Sequence, residues 1–129
     1  MKEFFGFLAV CAAWALLLFM AINHPRVHAD EWTGADTARE GVYMVIDLMD
    51  WAQTRDIANH DDMAEVNPLL GPHPSAHRIN AFFAAGLVGH AALSYALPSE
   101  YRSTFQYVTI GWEGAFVVHN LRFGLSFRY

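Results

Sequence analysis

Cysteine is almost missing from this chain: Cys11 is the only one in 129 residues. A lone thiol excludes an intramolecular disulfide and the multi-cysteine ligand sets of zinc knuckles and iron–sulfur centres. Positive charge is scarce as well. Eight Lys and Arg stand against thirteen Asp and Glu, a formal net charge of −5. No basic surface exists to displace counterions from phosphates, so nucleic acid is excluded as a partner. Charge of either sign is thin, at 16% against about a quarter in an ordinary soluble domain. Gly-x-Ser-x-Gly, P-loop and Rossmann patterns are all lacking, so a kinase, NTPase or serine hydrolase reading has no support, and no Glu-x-x-His or His-Glu-x-x-His pair strengthens a metal reading.

What is present is apolar. Hydrophobic residues make up 54% and aromatics 15%, and the length suits one domain. Phe4 to Ile22 is an uncharged run of 19 residues, long enough to cross a hydrocarbon core of roughly 30 Å. Lys2 precedes it. Pro25 follows, and Val27-His28-Ala29 fits a signal-peptidase site with cleavage before Asp30. A cleaved signal peptide and a retained anchor both remain open. Residues 1–29 are therefore expected to be an N-terminal hydrophobic segment and residues 30–129 a helical membrane domain.

Three further helices are expected. Asp30 to Ala38 is polar and reads as a loop, after which Thr37 and Glu40 spell a capping box for a helix to about Ala58. On that helix Glu40, Tyr43/Met44, Asp47, Trp51 and Thr54 share one stripe, and Val42, Val45, Ile46, Leu48, Met49 and Ala52 another. Asn59 to Pro74 is a linker broken by Pro68, Pro72, Pro74 and Gly71. Within it, Leu69 and Leu70 are expected to plug an apolar site. Ser75 caps a second helix over about Ala76–Leu97, ended by Pro98; Ser99 is the expected cap of a third over about Glu100–Leu121. The tail from Arg122 to Tyr129 alternates in polarity, as a short strand or an extended interfacial segment would.

Chemistry is concentrated in a few polar residues set in apolar helices. Asp47 and Glu113 sit mid-helix, and His90 is the titratable group in the middle of the second of these helices. A charge at bilayer depth costs about 2.5–3.5 kcal/mol on insertion scales, so such groups must face inward and find partners. Gln106, Thr109, Glu113 and Asn120 fall on one face, and Asn80 joins them in an expected polar seam. That cluster serves either as interhelical glue or as a proton or metal centre. The metal candidates would be Asp47, Glu65, His90 and Glu113. Arg55, Glu65, Asn67 and Pro68 form a loop motif in which Arg55 either caps its helix or pairs with Glu65 or Asp47. His60, His73 and His77 flank the linker with Asp61 and Asp62 and read as solvated residues. Ala81, Ala85 and Gly89 recur every fourth position, a stripe that lets another helix approach closely.

The ordered combination Asp47-xxx-Trp51-Ala52-Gln53-Thr54-Arg55 and Glu65-Val66-Asn67-Pro68-Leu69-Leu70-Gly71 resembles small bacterial and phage-associated helical membrane proteins. The likeness runs from about Val42 to Asn120. It implies a helical membrane protein and carries no activity, cofactor or ligand set.

The expectation is an all-α, small helical membrane bundle: an N-terminal hydrophobic segment plus three helices. It would sit in a bacterial inner membrane, bind lipid, and assemble with itself or other membrane subunits as a structural or accessory component. No cofactor is called for, and an enzyme is the lesser reading. The rivals are a metal- or proton-handling enzyme or transporter centred on Asp47, His90 and Glu113, and an exported helical protein cut after Ala29. Lys2, Arg55, Arg78, Arg122 and Arg128 outnumber Arg26, Arg39 and Arg102 across four spans, which favours a cytoplasmic N-terminus if that segment is retained.

Overall fold

Thr33 starts the first helix. Its hydroxyl accepts from the Asp36 amide at 3.1 Å while the Asp36 carboxylate accepts from the Thr33 amide at 2.8 Å. This reciprocal pair fixes the N-terminus of α1, Gly34–Ile57. The capping box is thus one turn earlier than Thr37 and Glu40 predict, and Gly34 to Ala38 is helix rather than loop. Glu40 is drawn into the interior by His90 and Gln106 and is not free to cap. The computed structural model describes residues 31–65, 67, 69–122 and 124. The N-terminal segment, Pro68 and most of the expected C-terminal extended tail lie outside the described residues.

Two more helices complete the described chain, α2 over Ala76–Ala96 and α3 over Ser99–Arg122; no strand occurs among the described residues. Ser75 caps α2 as expected, accepting from the Arg78 amide at 3.3 Å. Leu97 is extended, as a residue before proline must be. Ser99 is the first helical residue of α3 rather than the residue ahead of it, and the Pro98 carbonyl receives the amides of Tyr101 and Arg102.

Contacts fix the directions. Asp36 meets Arg102 and Asp50 meets Asn120, so α1 and α3 run parallel. Glu40 meets His90 and Trp51 meets Asn80, so α2 runs antiparallel to both. The helices of 24, 21 and 24 residues are about 36, 31 and 36 Å long.

Among the described residues two small apolar clusters form. Leu93, Leu97 and Phe105 fill one end. Leu70, Ile79 and Phe83, with Trp51 and Phe82 against them, fill the other. Leu70 plugs the linker into this second cluster, whereas Leu69 stays exposed. Gly71 closes the linker turn at φ +78, a backbone conformation for which glycine is the ordinary choice.

Polarity is inverted relative to a soluble bundle. Asp36, Glu40, Asp47, Gln53, Thr54, Asp56, His90, Ser94, Arg102 and Gln106 are buried, while Val45 is 58% exposed, Val88 71% and Val108 64%. Along Gly41–Leu48, Asn80–Ala96 and Tyr101–His119 no exposed residue is Asp, Glu, Lys or Arg. One helix, α2, is by itself long and apolar enough to cross a membrane.

Candidate functional site

The α1–α3 interface is a polar seam. On α1 the buried face is Asp36, Glu40, Tyr43, Asp47 and Thr54, the three-and-four spacing of one helical stripe. On α3 it is Arg102, Gln106, Thr109, Glu113, Val117 and Asn120, again at steps of three and four.

Arg102 anchors one end and is 0% exposed. Its guanidinium donates to Asp36 Oδ2 at 3.2 Å, to the Ser94 carbonyl at 2.9 Å and to the Leu97 carbonyl at 3.0 Å. The last two are carbonyls that α2 leaves unpaired at its C-terminus. The Trp32 ring lies under the same guanidinium at 5.2 Å. Asp36 also takes donors from Arg39 and from the Thr33 hydroxyl. Asp36 stands in the first turn of α1, beyond the outward apolar band that begins at Val42. Burial pushes its carboxyl up, but Thr33, Arg39 and Arg102 together outweigh this and hold it at about 2, below its usual 3.8.

One turn inward, His90 crosses from α2. Its Nδ1 pairs with Glu40 Oε1 at 2.8 Å and its Nε2 with Thr109 Oγ1 at 2.8 Å. The ring is sandwiched by Tyr43 at 3.5 Å and Phe105 at 4.7 Å. Gln106 donates to Glu40 Oε2 at 3.1 Å and to the Asp36 carbonyl at 3.2 Å, and accepts from Arg39 at 2.8 Å.

Further along, the Tyr43 hydroxyl reaches Asp47 Oδ1 at 3.4 Å. Asn120 donates to Asp50 Oδ1 at 3.0 Å, and Gln53 donates to the Val117 carbonyl at 3.3 Å. Asp47 Oδ2 and Gln53 Oε1 are buried with no hydrogen-bond partner among the described residues.

The structure therefore divides the expected cluster. Gln106, Thr109 and His90 share one level, Asp47 and Glu113 the next, and Asn120 the level beyond. Asp47, His90 and Glu113 do not form one centre, because Tyr43 stands between His90 and Asp47. Asn80 is outside the seam, on an exposed edge of α2, where it accepts from Trp51 at 3.0 Å and Arg55 at 2.9 Å. Arg55 thus pairs with neither Glu65 nor Asp47. Glu65 instead accepts from the Asn67 amide at 2.8 Å, and Asn67 accepts from the Leu69 amide at 3.0 Å, a self-contained loop. Among the described residues no group of three or more His, Cys, Asp and Glu is placed to hold a metal, so Asp47, Glu65, His90 and Glu113 are not drawn together as ligands. His60, Asp61 and His73 line a shallow open depression with Pro72 and Pro74. Ala81, Ala85 and Gly89 are exposed and face away from α1 and α3.

Sequence reasoning missed Asp36, Arg39 and Arg102. The available signal was spacing: Arg102 lies one turn before Gln106 on the stripe already marked by Thr109 and Glu113. No family model matches the chain, and no curated protein or solved structure matches it either.

Proposed function

We propose that this chain is a small integral membrane protein serving as a structural or accessory subunit of an oligomer or larger membrane complex. The inverted distribution of polarity carries the reading. Lipid tails offer no hydrogen bonds, so polar groups gather inside and apolar side chains face out. The outward band of Val42, Val45, Leu48, Val88, Val108, Trp112 and Phe116 is the surface such a solvent requires. Trp32, Tyr95, Tyr101 and Tyr107 near one end fit an interfacial belt. Arg55, Arg78 and Arg122 mark the opposite end, while Arg39 and Arg102 are taken up by Asp36; the free basic end would face the cytoplasm.

Assembly is supported by α2. Its outward face carries Ala81, Ala84, Ala85, Gly86, Gly89 and Ala92, all exposed, and small residues let helix backbones approach closely in lipid. The test is fractionation followed by native mass measurement in mild detergent. The reading expects retention in membranes after an alkaline carbonate wash, and a species heavier than one chain. Release by carbonate as a monomer, with a mass starting at Asp30, would replace it with an exported helical protein.

A further inference from the structure

The parallel α1–α3 seam sets acceptors against donors at successive levels. Asp36 meets Arg102, Glu40 meets Gln106, and Asp50 meets Asn120. Between the last two levels the register brings Asp47 opposite Glu113, with Asp50 beside them, so that carboxyl groups face one another. We propose that Asp47 and Glu113 hold one proton between them, a carboxyl–carboxylate pair built into the middle of the bundle.

The burial of Asp47 supports the pairing independently of the register. It is 4% exposed. Its Oδ2 has no hydrogen-bond partner among the described residues, and its Oδ1 has the Tyr43 hydroxyl at a long 3.4 Å. Glu113 is half-buried and interacts electrostatically with Asp47 and Asp50. Among the described residues the surroundings supply no counter-charge. From α1 the neighbours are Tyr43 and Asp50, from α3 Thr109 and Asn120, and the linker adds Glu65, which acts on Asp50. On α2, His90 is committed to Glu40 and Thr109. Arg39 and Arg102 are bound to Asp36, and Arg55 to Asn80. Two ionised carboxylates in such a seam repel strongly; one proton turns the repulsion into an O–H donor for the second carboxylate. This pair rests on the seam and not on the lipid around it, so it stands or falls separately from the membrane reading.

Infrared spectroscopy of the purified full chain in mild detergent at neutral pH tests it. A protonated carboxyl gives a C=O stretching band, separate from the carboxylate bands, that shifts in heavy water. The expected result is such a band with an intensity of about one carboxyl per chain, lost in the double variant Asp47→Asn/Glu113→Gln. Carbon-13 labelling of side-chain carboxyls in the unaltered chain should move the same band, which keeps the test valid if the variant does not fold. No band moved by aspartate or glutamate labelling would overturn the proposal. So would a band that survives in a folded double variant. Loss of the band on adding sodium chloride, but not choline chloride, would likewise overturn it in favour of a metal cation.

Discussion

Replacing Arg102 with Met keeps most of the side-chain volume and removes the guanidinium donors. The pair with Asp36, the bonds to the Ser94 and Leu97 carbonyls and the contact with the Trp32 ring vanish together. Breaking a buried ion pair from one side costs about 3–5 kcal/mol. Asp36 retains Arg39 and Thr33 as donors, which places its share near the bottom of that range. Each carbonyl left without a donor adds about 1 kcal/mol or more. The sum is roughly 4–6 kcal/mol, a large part of the roughly 5–15 kcal/mol that holds a typical domain folded. Arg102→Lys keeps a charge but presents a compact ammonium instead of a planar fork, so it should lose about half as much. The assay is reversible denaturant titration in mild detergent followed by circular dichroism. A double-mutant cycle with Asp36→Asn isolates the pairwise share. A loss under about 1 kcal/mol for Arg102→Met, with native helicity, would refute the reasoning.

Other consequences follow from neighbouring residues. Asp36 is held at about 2, below its usual 3.8. It therefore adds stability that is fully present above about pH 4 and lost as pH falls through 2; an acid titration of Asp36→Asn should lack that loss. His90→Leu takes the imidazole from Glu40, which keeps Gln106 as a donor, and should cost roughly 1–3 kcal/mol; adding Glu40→Leu should recover part of it in the same denaturant assay. Gly71→Ala forces a side chain into a positive φ of 78 and should lower stability by about 1 kcal/mol, read as a reduced melting temperature.

Helix number was legible because its punctuation is local. Ser75, Pro98 and the linker prolines act within a few residues, and every helix end but the start of α1 falls within one residue of its expected place. The start of α1 was the least accurate end. Thr33-x-x-Asp36 and Thr37-x-x-Glu40 are equally good capping patterns in sequence, and the choice is made by His90 and Gln106, which claim Glu40 from across the bundle. The α3 stripe from Gln106 to Asn120 was visible as periodicity. What periodicity cannot tell is the level at which an opposing helix meets it. The parallel register of α1 and α3 separates His90 from Asp47, and Tyr43 fills the gap. Arg102 escaped notice for a related reason: in sequence it is a charge near a helix start, and only the fold brings the C-terminal carbonyls of α2 onto it. Arg55 reads equally as a helix-end cation or as a partner of Glu65 or Asp47, and the fold brings Asn80 to it instead.

The central claim is that Val45, Val88 and Val108 face lipid. Nitroxide labels placed at these positions one at a time, in a Cys11→Ser background reconstituted into lipid vesicles, would report their solvent by electron paramagnetic resonance. The account predicts strong relaxation by oxygen and weak relaxation by a water-soluble nickel chelate at all three, with the reverse at the exposed linker-side residue His77. Strong nickel accessibility at Val45, Val88 and Val108 would contradict it.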